Sequence, residues 1–478
     1  MRIAQCKQRF ITVCLALIAI AWLGFGALAQ SPDTFSLGLT HVTVIDGTGA
    51  AARADQTVLL SADRIMAVGP SATVRIPNGT RTIDGAGRFL IPGLWDVHVH
   101  TRYAGIDHLR LFVANGITSI RNMSGPWEHL AEMREWRRDI GVGRRIGPRL
   151  LTAGPVFDGP GTGRQTNFTI NNAEEARDAV RRANREGADF IKVYNLLSPQ
   201  SFTAIAAESK AQGLPFVGHV PLVINTSDAV AAGQRTLEHV DVVTLGASDR
   251  ETELRTKAAG WRPSPGVRAG PFDVKEVVDS FSPERLRSLA ALLRQKGAAF
   301  VPTMIAARNR FEAPIPPAGT QYLPAAYLAV WKQVAPVGSA ANDRLVYEHV
   351  AKLLRGLDAE GVAILAGTDM GTPFQVSGFS LHEELSLLVR AGLSEMKALQ
   401  AATRDPARVF NLPDQGTIEQ GKRADLVLLD ANPLENIENT KKIRLVVAAG
   451  RAFDRNDLDA MLADVQRSAR EWAGTPTR

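Results

Sequence analysis

The chain has 478 residues, of which 45% are hydrophobic and 22% are charged. That composition is typical of a globular protein and excludes a mostly disordered chain, a collagen-like repeat or a coiled coil. The formal net charge is +6, but three basic residues lie among the first 29, and residues 30–478 carry 52 basic against 49 acidic side chains, which is +3. So small an excess gives no reason to expect nucleic acid as a partner.

The first 29 residues have the three-part pattern of a secretory signal peptide. Arg2, Lys7 and Arg9 precede an apolar run over 10–28, and the small-x-small pattern Ala27-Leu28-Ala29 lies at its end. We predict cleavage after Ala29, a periplasmic or secreted mature protein, and no stable membrane association after cleavage. A retained membrane anchor is the alternative, because the apolar run is nearly long enough to span a bilayer.

Both cysteines of the chain, Cys6 and Cys14, lie within this leader. The mature protein therefore has no thiol, and it cannot form disulfides, use a cysteine nucleophile or bind a metal through thiolates. Any metal ion must be held by nitrogen and oxygen ligands, such as histidine and carboxylate side chains.

The two ends of the mature chain both contain short strand-like segments bounded by turn residues. These segments are 40–45, 57–60, 64–68, 423–430 and 443–449. Neither end has enough strands to be stable alone, so we predict a small composite β-sandwich domain built from residues 30–87 and 414–453. Apolar residues at helical spacing predict a C-terminal helix and tail over 454–478.

Between these ends, short apolar strands alternate with amphipathic helices. The predicted strands are 88–98, 116–121, 149–153, 189–194, 215–219, 235–239, 299–303 and 363–366. Eight such units predict an α/β fold, a TIM-like (β/α)₈ barrel over 88–413. A doubly wound open sheet is the alternative, and it fits less well because no Gly-x-Gly-x-x-Gly follows the first strand. The longest connections, 245–282 and 305–342, are predicted to form part of a substrate pocket or a lid.

Residues able to bind a metal end five of the eight strands. His98 and His100 are two apart on the first strand, so both imidazoles point to one face and can reach one ion. The others are Lys192 on the fourth strand, His219 on the fifth, His239 on the sixth and Asp369 just past the eighth. Each alone has an ordinary explanation, such as a core histidine or a helix-capping aspartate. Because barrel enzymes place catalysis at the carboxyl ends of their strands, the coincidence of all five indicates a metal-dependent active site.

This order of His-x-His, Lys, His, His and Asp resembles the amidohydrolase superfamily, and more closely its imidazolonepropionase-like and prolidase-like branch. The resemblance extends over residues 37–451 and includes the segments 45–49, 90–100, 116–121 and 416–426. It implies that His98, His100 and Asp369 bind one divalent ion. It implies that His219 and His239 bind a second.

The resemblance also implies a role for Lys192, whose amine would react with CO₂ to form a carbamate that bridges both ions. Zinc suits such nitrogen and oxygen ligands. A hydroxide held between the ions would attack the substrate carbonyl, and Asp369 would be the catalytic residue that moves the proton to the leaving amine.

Substrate contacts are predicted for Tyr194, His382 and Asn122. Asn122 departs from the pattern of the family, since relatives often have Arg-Asp after the second strand where this chain has Arg121 and Asn122. The predicted function is an exported metal-dependent amidohydrolase that cleaves amide bonds, of dipeptides such as Xaa-Pro or of N-acyl amino acids. A lactonase, esterase or phosphotriesterase on the same centre is the alternative, and a non-catalytic metal-binding protein fits least. A homo-oligomer is compatible with the sequence.

Overall fold

The computed structural model of the protein describes residues 36–101, 107–161, 167–262, 271–310, 312, 316–333 and 340–474. The predicted signal peptide lies outside these residues. Across the described ranges, no helix combines the length and the apolar character that crossing a membrane requires.

The strands of the described chain are short, and most have three to nine residues. They are β1 (Leu37–Val44), β2 (Arg53–Ser61), β3 (Arg64–Pro70), β4 (Thr82–Asp84), β5 (Phe89–Pro92), β6 (Leu94–Val99), β7 (Ile117–Asn122), β8 (Arg149–Thr152), β9 (Val156–Asp158), β10 (Asn167–Thr169), β11 (Ile191–Val193), β12 (Phe216–Gly218), β13 (Thr236–Glu238), β14 (Ala299–Val301), β15 (Ala363–Ile364), β16 (Leu426–Leu429), β17 (Ile443–Ala448) and β18 (Arg451–Asp454).

The helices follow the central strands. They are α1 (His108–Ala114), α2 (Trp127–Gly141), α3 (Ala173–Arg185), α4 (Pro199–Gln212), α5 (Thr226–Ala231), α6 (Val240–Gly246), α7 (Glu251–Ala258), α8 (Val274–Asp279), α9 (Pro283–Lys296), α10 (Met304–Arg308), α11 (Ala325–Gln333), α12 (Ala340–Ala359), α13 (Phe379–Arg390), α14 (Glu395–Ala401), α15 (Arg404–Val409) and α16 (Arg455–Glu471), with 3₁₀ turns at Thr320–Tyr322 and Ile437–Lys441.

The two chain ends pair in one hydrogen-bonded sheet with the order β18-β17-β16-β5-β1-β2-β3, in which β4 also pairs with β1. Strand β5 joins the ends, because it is parallel to β1 and antiparallel to β16, with Leu90 opposite Leu428. Alternate side chains from both ends, such as Leu39, Val58 and Val447, share one buried core. The predicted pairing of the ends is therefore observed, while the division into two sandwich layers stays a prediction.

The start predicted for the first central strand, at residue 88, is wrong. Residues 89–92 belong to the sheet of the chain ends, and the central strand β6 begins only at Leu94. The division falls at Gly93, whose N–H donates to the Asp425 carbonyl over 2.7 Å. A Cβ at Gly93 would lie 2.0 Å from Thr118 Oγ1, so only glycine allows this close passage between the two sheets.

The central strands pair only in parallel within the described residues, as β6-β7-β8 and as β10-β9-β11-β12-β13-β14-β15. All eight predicted strands are present, most of them shorter than predicted, and β9 and β10 are additional. Beyond β15, Ala366 O accepts from Val97 N–H over 3.1 Å, and Asp369 N–H donates to His98 O over 2.8 Å. The predicted α/β fold with parallel strands is confirmed, and it is compatible with a TIM-like barrel.

Helix boundaries follow local capping chemistry. Helix α4 begins after Ser198, whose side chain accepts from a backbone N–H, has proline at its first position, and ends at Gly213 in the left-handed region. Helix α9 repeats this pattern with Ser282 and Gly297. In the predicted C-terminal segment, Asp454 forms a capping box for α16, and Leu458 enters the main core.

Candidate metal centre

The first two histidines converge on one carboxylate oxygen. His98 and His100 stand on and just after β6, and their Nε2 atoms lie 3.3 and 3.2 Å from Asp369 Oδ1. Asp369 is held there by its backbone, which has φ 62° and donates its N–H to His98 O. A left-handed aspartate costs strain that the surrounding contacts must offset, and such strain often marks functional sites.

Strand β13, the sixth of the predicted central strands, brings a third histidine to the same place. The ligand atoms of His98, His239 and Asp369 all lie within 4.8 Å of one another. His239 directly follows β13, and its φ is 70°. Its ring centroid is 4.7 Å from that of His98 and 4.7 Å from that of His219. The four histidines predicted as ligands therefore form one continuous group.

Lys192, in the middle of β11, is 2% exposed, and its Nζ has no hydrogen-bond partner among the described residues. Burial lowers the pKa of Lys192 to about 8, although the nearby carboxylates of Glu238 and Asp369 oppose that shift. A buried amine without a partner is costly, and its neutral fraction is the form that reacts with carbon dioxide. These properties fit the predicted carbamate.

Each histidine of the group has a partner at Nδ1, so a metal ion would be bound through Nε2. The pairs are His98 with Glu238 Oε2 at 2.9 Å, His100 with Ser124 Oγ at 2.7 Å, His219 with Asn195 Oδ1 at 2.8 Å and His239 with Thr303 Oγ1 at 3.0 Å. Such partners fix ring orientation and tautomer in metal sites. Because a carboxylate only accepts, Nδ1 of His98 carries the proton and its Nε2 offers a lone pair.

Glu238 belongs to a buried ion pair that the sequence reasoning missed. Its Oε1 lies 2.7 Å from Arg121 Nη2, and both side chains are fully buried. Arg121 also donates to Val97 O over 2.6 Å and to Thr236 Oγ1 over 3.0 Å. A signal was available, since charged residues inside the apolar strands β7 and β13 are as unusual as the lysine in β11.

The electrostatics of the group favour metal binding. Burial lowers the pKa of His98 to about 4 and holds the pKa of His239 well below its usual range, so both rings are neutral at pH 7. Burial alone would raise the pKa of Asp369, but its hydrogen bond with His100 opposes that effect, and the pKa lies well below its usual range. Neutral imidazoles beside an ionised carboxylate are a donor set that fits zinc.

Of the predicted substrate residues, the structure brings Tyr194 to the group. Its ring centroid lies 4.0 Å from that of His219, at an interplanar angle of 40°. Asn122 is buried beside the group, and its Nδ2 donates to Ser124 O and Thr152 Oγ1, each over 3.1 Å. Its Oδ1 accepts from the Thr101 N–H. The Asn122 amide is thus engaged in holding the turn that carries the partner of His100.

The structure does not bring His382 to the group. Its Nε2 donates to Asn115 O over 3.1 Å, and its Nδ1 lies 3.0 Å from Thr440 Oγ1. Asn115 follows α1, before the strand β7, so this contact is at the opposite ends of the strands from the metal ligands. Both ring nitrogens are engaged there, because His382 joins α13 to the segment before β17.

His382 should make stability depend on pH. Burial lowers its pKa to about 4, below the value of about 6.5 expected in the unfolded chain. The unfolded state therefore binds the proton first, and stability falls as pH drops from about 6.5 to 4. We expect wild type to lose up to about 3 kcal/mol more than His382→Gln over that window. Urea unfolding at several pH values tests this, with exposed His41→Gln as control, and parallel pH profiles for wild type and His382→Gln would contradict it.

Gly218, just before His219, has a conformation that other residues avoid. Its φ is +125°, and a Cβ there would lie 2.3 Å from Val193 O and 2.9 Å from Lys192 Cδ. We expect Gly218→Ala to destabilise the protein by roughly 2 to 5 kcal/mol, because strain and a backbone clash combine. Gly213→Ala is the matched control, with φ +65° and no atom within 4 Å. Equal unfolding free energies for the two variants would refute the clash.

Comparisons with known proteins bear on which family the chain belongs to. The model of the Amidohydrolase family matches residues 89–453. Ochratoxinase of Aspergillus niger is 24% identical over 427 residues, which cover 76% of this chain and 75% of the relative. A bottromycin amidohydrolase structure has a TM-score of 0.69 at 23% identity, and it covers 90% of this chain and 90% of its own.

A Xaa-Pro dipeptidase structure has a TM-score of 0.64 at 19% identity, with 87% of this chain and 99% of its own covered. This likeness shows that the two proteins share a fold. The predicted enzyme class, a metal-dependent hydrolase acting on carbon–nitrogen bonds, is confirmed, and two metal ions are expected for the family. The chain therefore belongs to the amidohydrolase family.

Proposed function

We propose that this protein is an exported amide hydrolase that cleaves dipeptides such as Xaa-Pro or N-acyl amino acids. The observation that carries the proposal is the position of Asp369 Oδ1, within 3.3 Å of both His98 Nε2 and His100 Nε2. A carboxylate among neutral imidazoles can both bind an ion and move a proton. The names of two similar proteins, an ochratoxinase and a Xaa-Pro dipeptidase, favour amide substrates.

The residues of the group fit two divalent ions, most suitably zinc. His98, His100 and Asp369 would hold one, His219 and His239 the other, and a carboxylated Lys192 would contact both. When bound, the ions would polarise the scissile carbonyl and make water a stronger nucleophile. The unpartnered, buried Nζ of Lys192 supports this assignment, because carboxylation would turn the amine into a carbamate whose oxygens could bind the ions.

Asp369 is the proposed acid and base. Its pKa lies well below the usual range, so it is ionised at neutral pH and can accept the proton of the attacking water. It can then return that proton to the nitrogen that leaves. Its left-handed backbone and the hydrogen bond to His98 O hold the carboxylate in place during both transfers. Tyr194, whose ring lies against that of His219, would contact the substrate.

We expect Asp369→Asn to reduce amide hydrolysis by at least about a hundredfold in the metal-supplied mature protein, since the amide cannot transfer the proton. The measurement is kcat on a panel of Xaa-Pro dipeptides, other dipeptides and N-acyl amino acids, with metal content determined in parallel. Full activity of the variant with metals bound would refute the role of Asp369. If the protein hydrolyses lactones, esters or phosphotriesters but no amide, the proposal of amide substrates is wrong, and the hydrolysed class takes its place.

The proposal of export rests on the basic, apolar and small-residue pattern of residues 1–29. The expected result is a mature protein that begins at Gln30 and is found outside the inner membrane. Mass determination of the protein recovered from the periplasmic and membrane fractions tests this. An intact N-terminus in the membrane fraction would indicate a retained anchor instead.

A further inference from the structure

A small cavity lies beside the residues that follow Asp369. Met370 and Gly371 form one wall, and Leu323, Tyr327 and Trp331 form the other. The second wall comes from the 3₁₀ turn and helix α11 of the long connection between β14 and β15. Because Met370 directly follows a proposed metal ligand, and its carbonyl accepts from the N–H of His100 over 2.7 Å, the cavity adjoins the metal centre.

Gln375 lines this cavity and is 3% exposed. Neither its Oε1 nor its Nε2 has a hydrogen-bond partner in the described structure. Leaving an amide buried and unsatisfied costs about 1 to 3 kcal/mol per group. Buried polar groups of this kind are uncommon and call for an explanation such as a ligand or a bound water.

The walls restrict what the amide could bind. Leu323, Tyr327, Trp331 and Met370 offer mainly apolar surface, and the cavity has a volume of about 20 Å³. That is room for a group about the size of one water molecule. No Lys, Arg, Asp or Glu lines the cavity, and the Nδ1 of His108, which also lines it, lies 2.5 Å from Ser377 Oγ. A charged group would therefore lose its hydration without a Lys, Arg or carboxylate as partner.

We propose that this cavity, here called the Gln375 subsite, binds the tip of the substrate's side chain, and that the tip is a neutral hydroxyl on an apolar frame. A hydroxyl both donates and accepts, and so can satisfy Nε2 and Oε1 of Gln375 together. The inference rests on the proposed amide hydrolysis and makes it more specific. Gln375 then selects substrates, because a site built to bind a hydroxyl leaves polar groups unpaired with an analogue that lacks it.

The variant that tests this is Gln375→Met, which keeps the length of the side chain and removes both polar atoms. Matched substrates are dipeptides that differ by a hydroxyl, with threonine against valine and tyrosine against phenylalanine at either position. Wild type should prefer the hydroxylated member of one pair by at least about tenfold in kcat/KM, and the variant should lose that preference. Gln400→Met is the control, since Gln400 is equally buried but donates to Gly47 O over 3.2 Å.

A second measurement does not need turnover. In the free protein, Gln375→Met should raise Tm or leave it unchanged, because it removes unsatisfied groups, whereas Gln400→Met should lower it. Equal losses of Tm would show that Gln375 is satisfied by the fold and would overturn the proposal. The proposal would also be overturned if the protein hydrolyses amides and Gln375→Met shows the same preference between the matched substrates as wild type. If wild type cleaves no amide at all, the proposed function fails, and the Tm comparison still decides whether Gln375 awaits a ligand.

Discussion

Lys192→Met is expected to leave the fold intact and to remove the bridged metal centre. Methionine has a similar length and fills the same apolar surroundings, and it replaces an amine that is buried and has no partner. Without the amine no carbamate can form. We expect metal content to fall from two ions per chain to one or none, and hydrolysis to fall by at least about a hundredfold, as expected when a ligand is lost.

The measurements are metal content by mass spectrometry, kcat on the best amide substrate, and a carbon-13 carbamate signal after incubation with labelled bicarbonate. Lys210→Met, on the exposed side of α4, controls for the general effect of the replacement. Unchanged metal content and activity in Lys192→Met would contradict the bridged centre. A full metal complement in wild type without a carbamate signal would contradict the carbamate alone.

Glu238→Gln is expected to weaken both stability and metal affinity. The change removes the charge that pairs with Arg121 at 2.7 Å and the carboxylate that orients His98 at 2.9 Å. Breaking a buried pair leaves an uncompensated charge, so we expect a loss of about 3 to 5 kcal/mol in unfolding free energy. Loss of the partner that fixes a ligating ring should lower metal affinity by about 10- to 100-fold.

The control for this variant is Glu251→Gln. Glu251 is equally buried, lies 2.9 Å from Arg255, and its Oε1 accepts from the Thr226 N–H over 2.7 Å, but it contacts none of the proposed metal ligands. Both variants should lower the free energy of unfolding, whereas only Glu238→Gln should weaken zinc binding in a competition titration. If zinc affinity falls equally in both, the loss reflects general unfolding, and the positioning role of Glu238 is wrong.

The features that the sequence could predict are those that repeat locally along the chain. Each central strand is an apolar segment followed by a helix, and the polar residue at its end stands out against apolar neighbours. The sequence therefore indicates His219 and His239 as candidate ligands without any contact information. Strand ends were less accurate: an apolar run continues past the last ladder hydrogen bond, as in the predicted strand 299–303, which ends at Val301 in the structure.

Features that depend on distant contacts could not be predicted in this way. The pairing of Arg121 with Glu238 joins residues far apart in sequence, and neither residue has a local pattern that names its partner. His382 illustrates the opposite error, because its place after the last strand suggested the active site. In the structure the ring of His382 contacts Asn115 instead, because packing sets the orientation of helix α13. Residues 89–92 could likewise be assigned to the sheet of the chain ends only once their partner strand, β16, was known.

The sheet shared by the two chain ends bears on how the protein can be synthesised. Strand β5 is made early, but its partner β16 leaves the ribosome only when nearly the whole chain has been translated. Until then Leu90 and Ile91 have an open edge that could pair with another chain. Contacts so distant in sequence form slowly. This connectivity therefore keeps the sheet of the chain ends from being completed during translation, a delay that would suit the export proposed above.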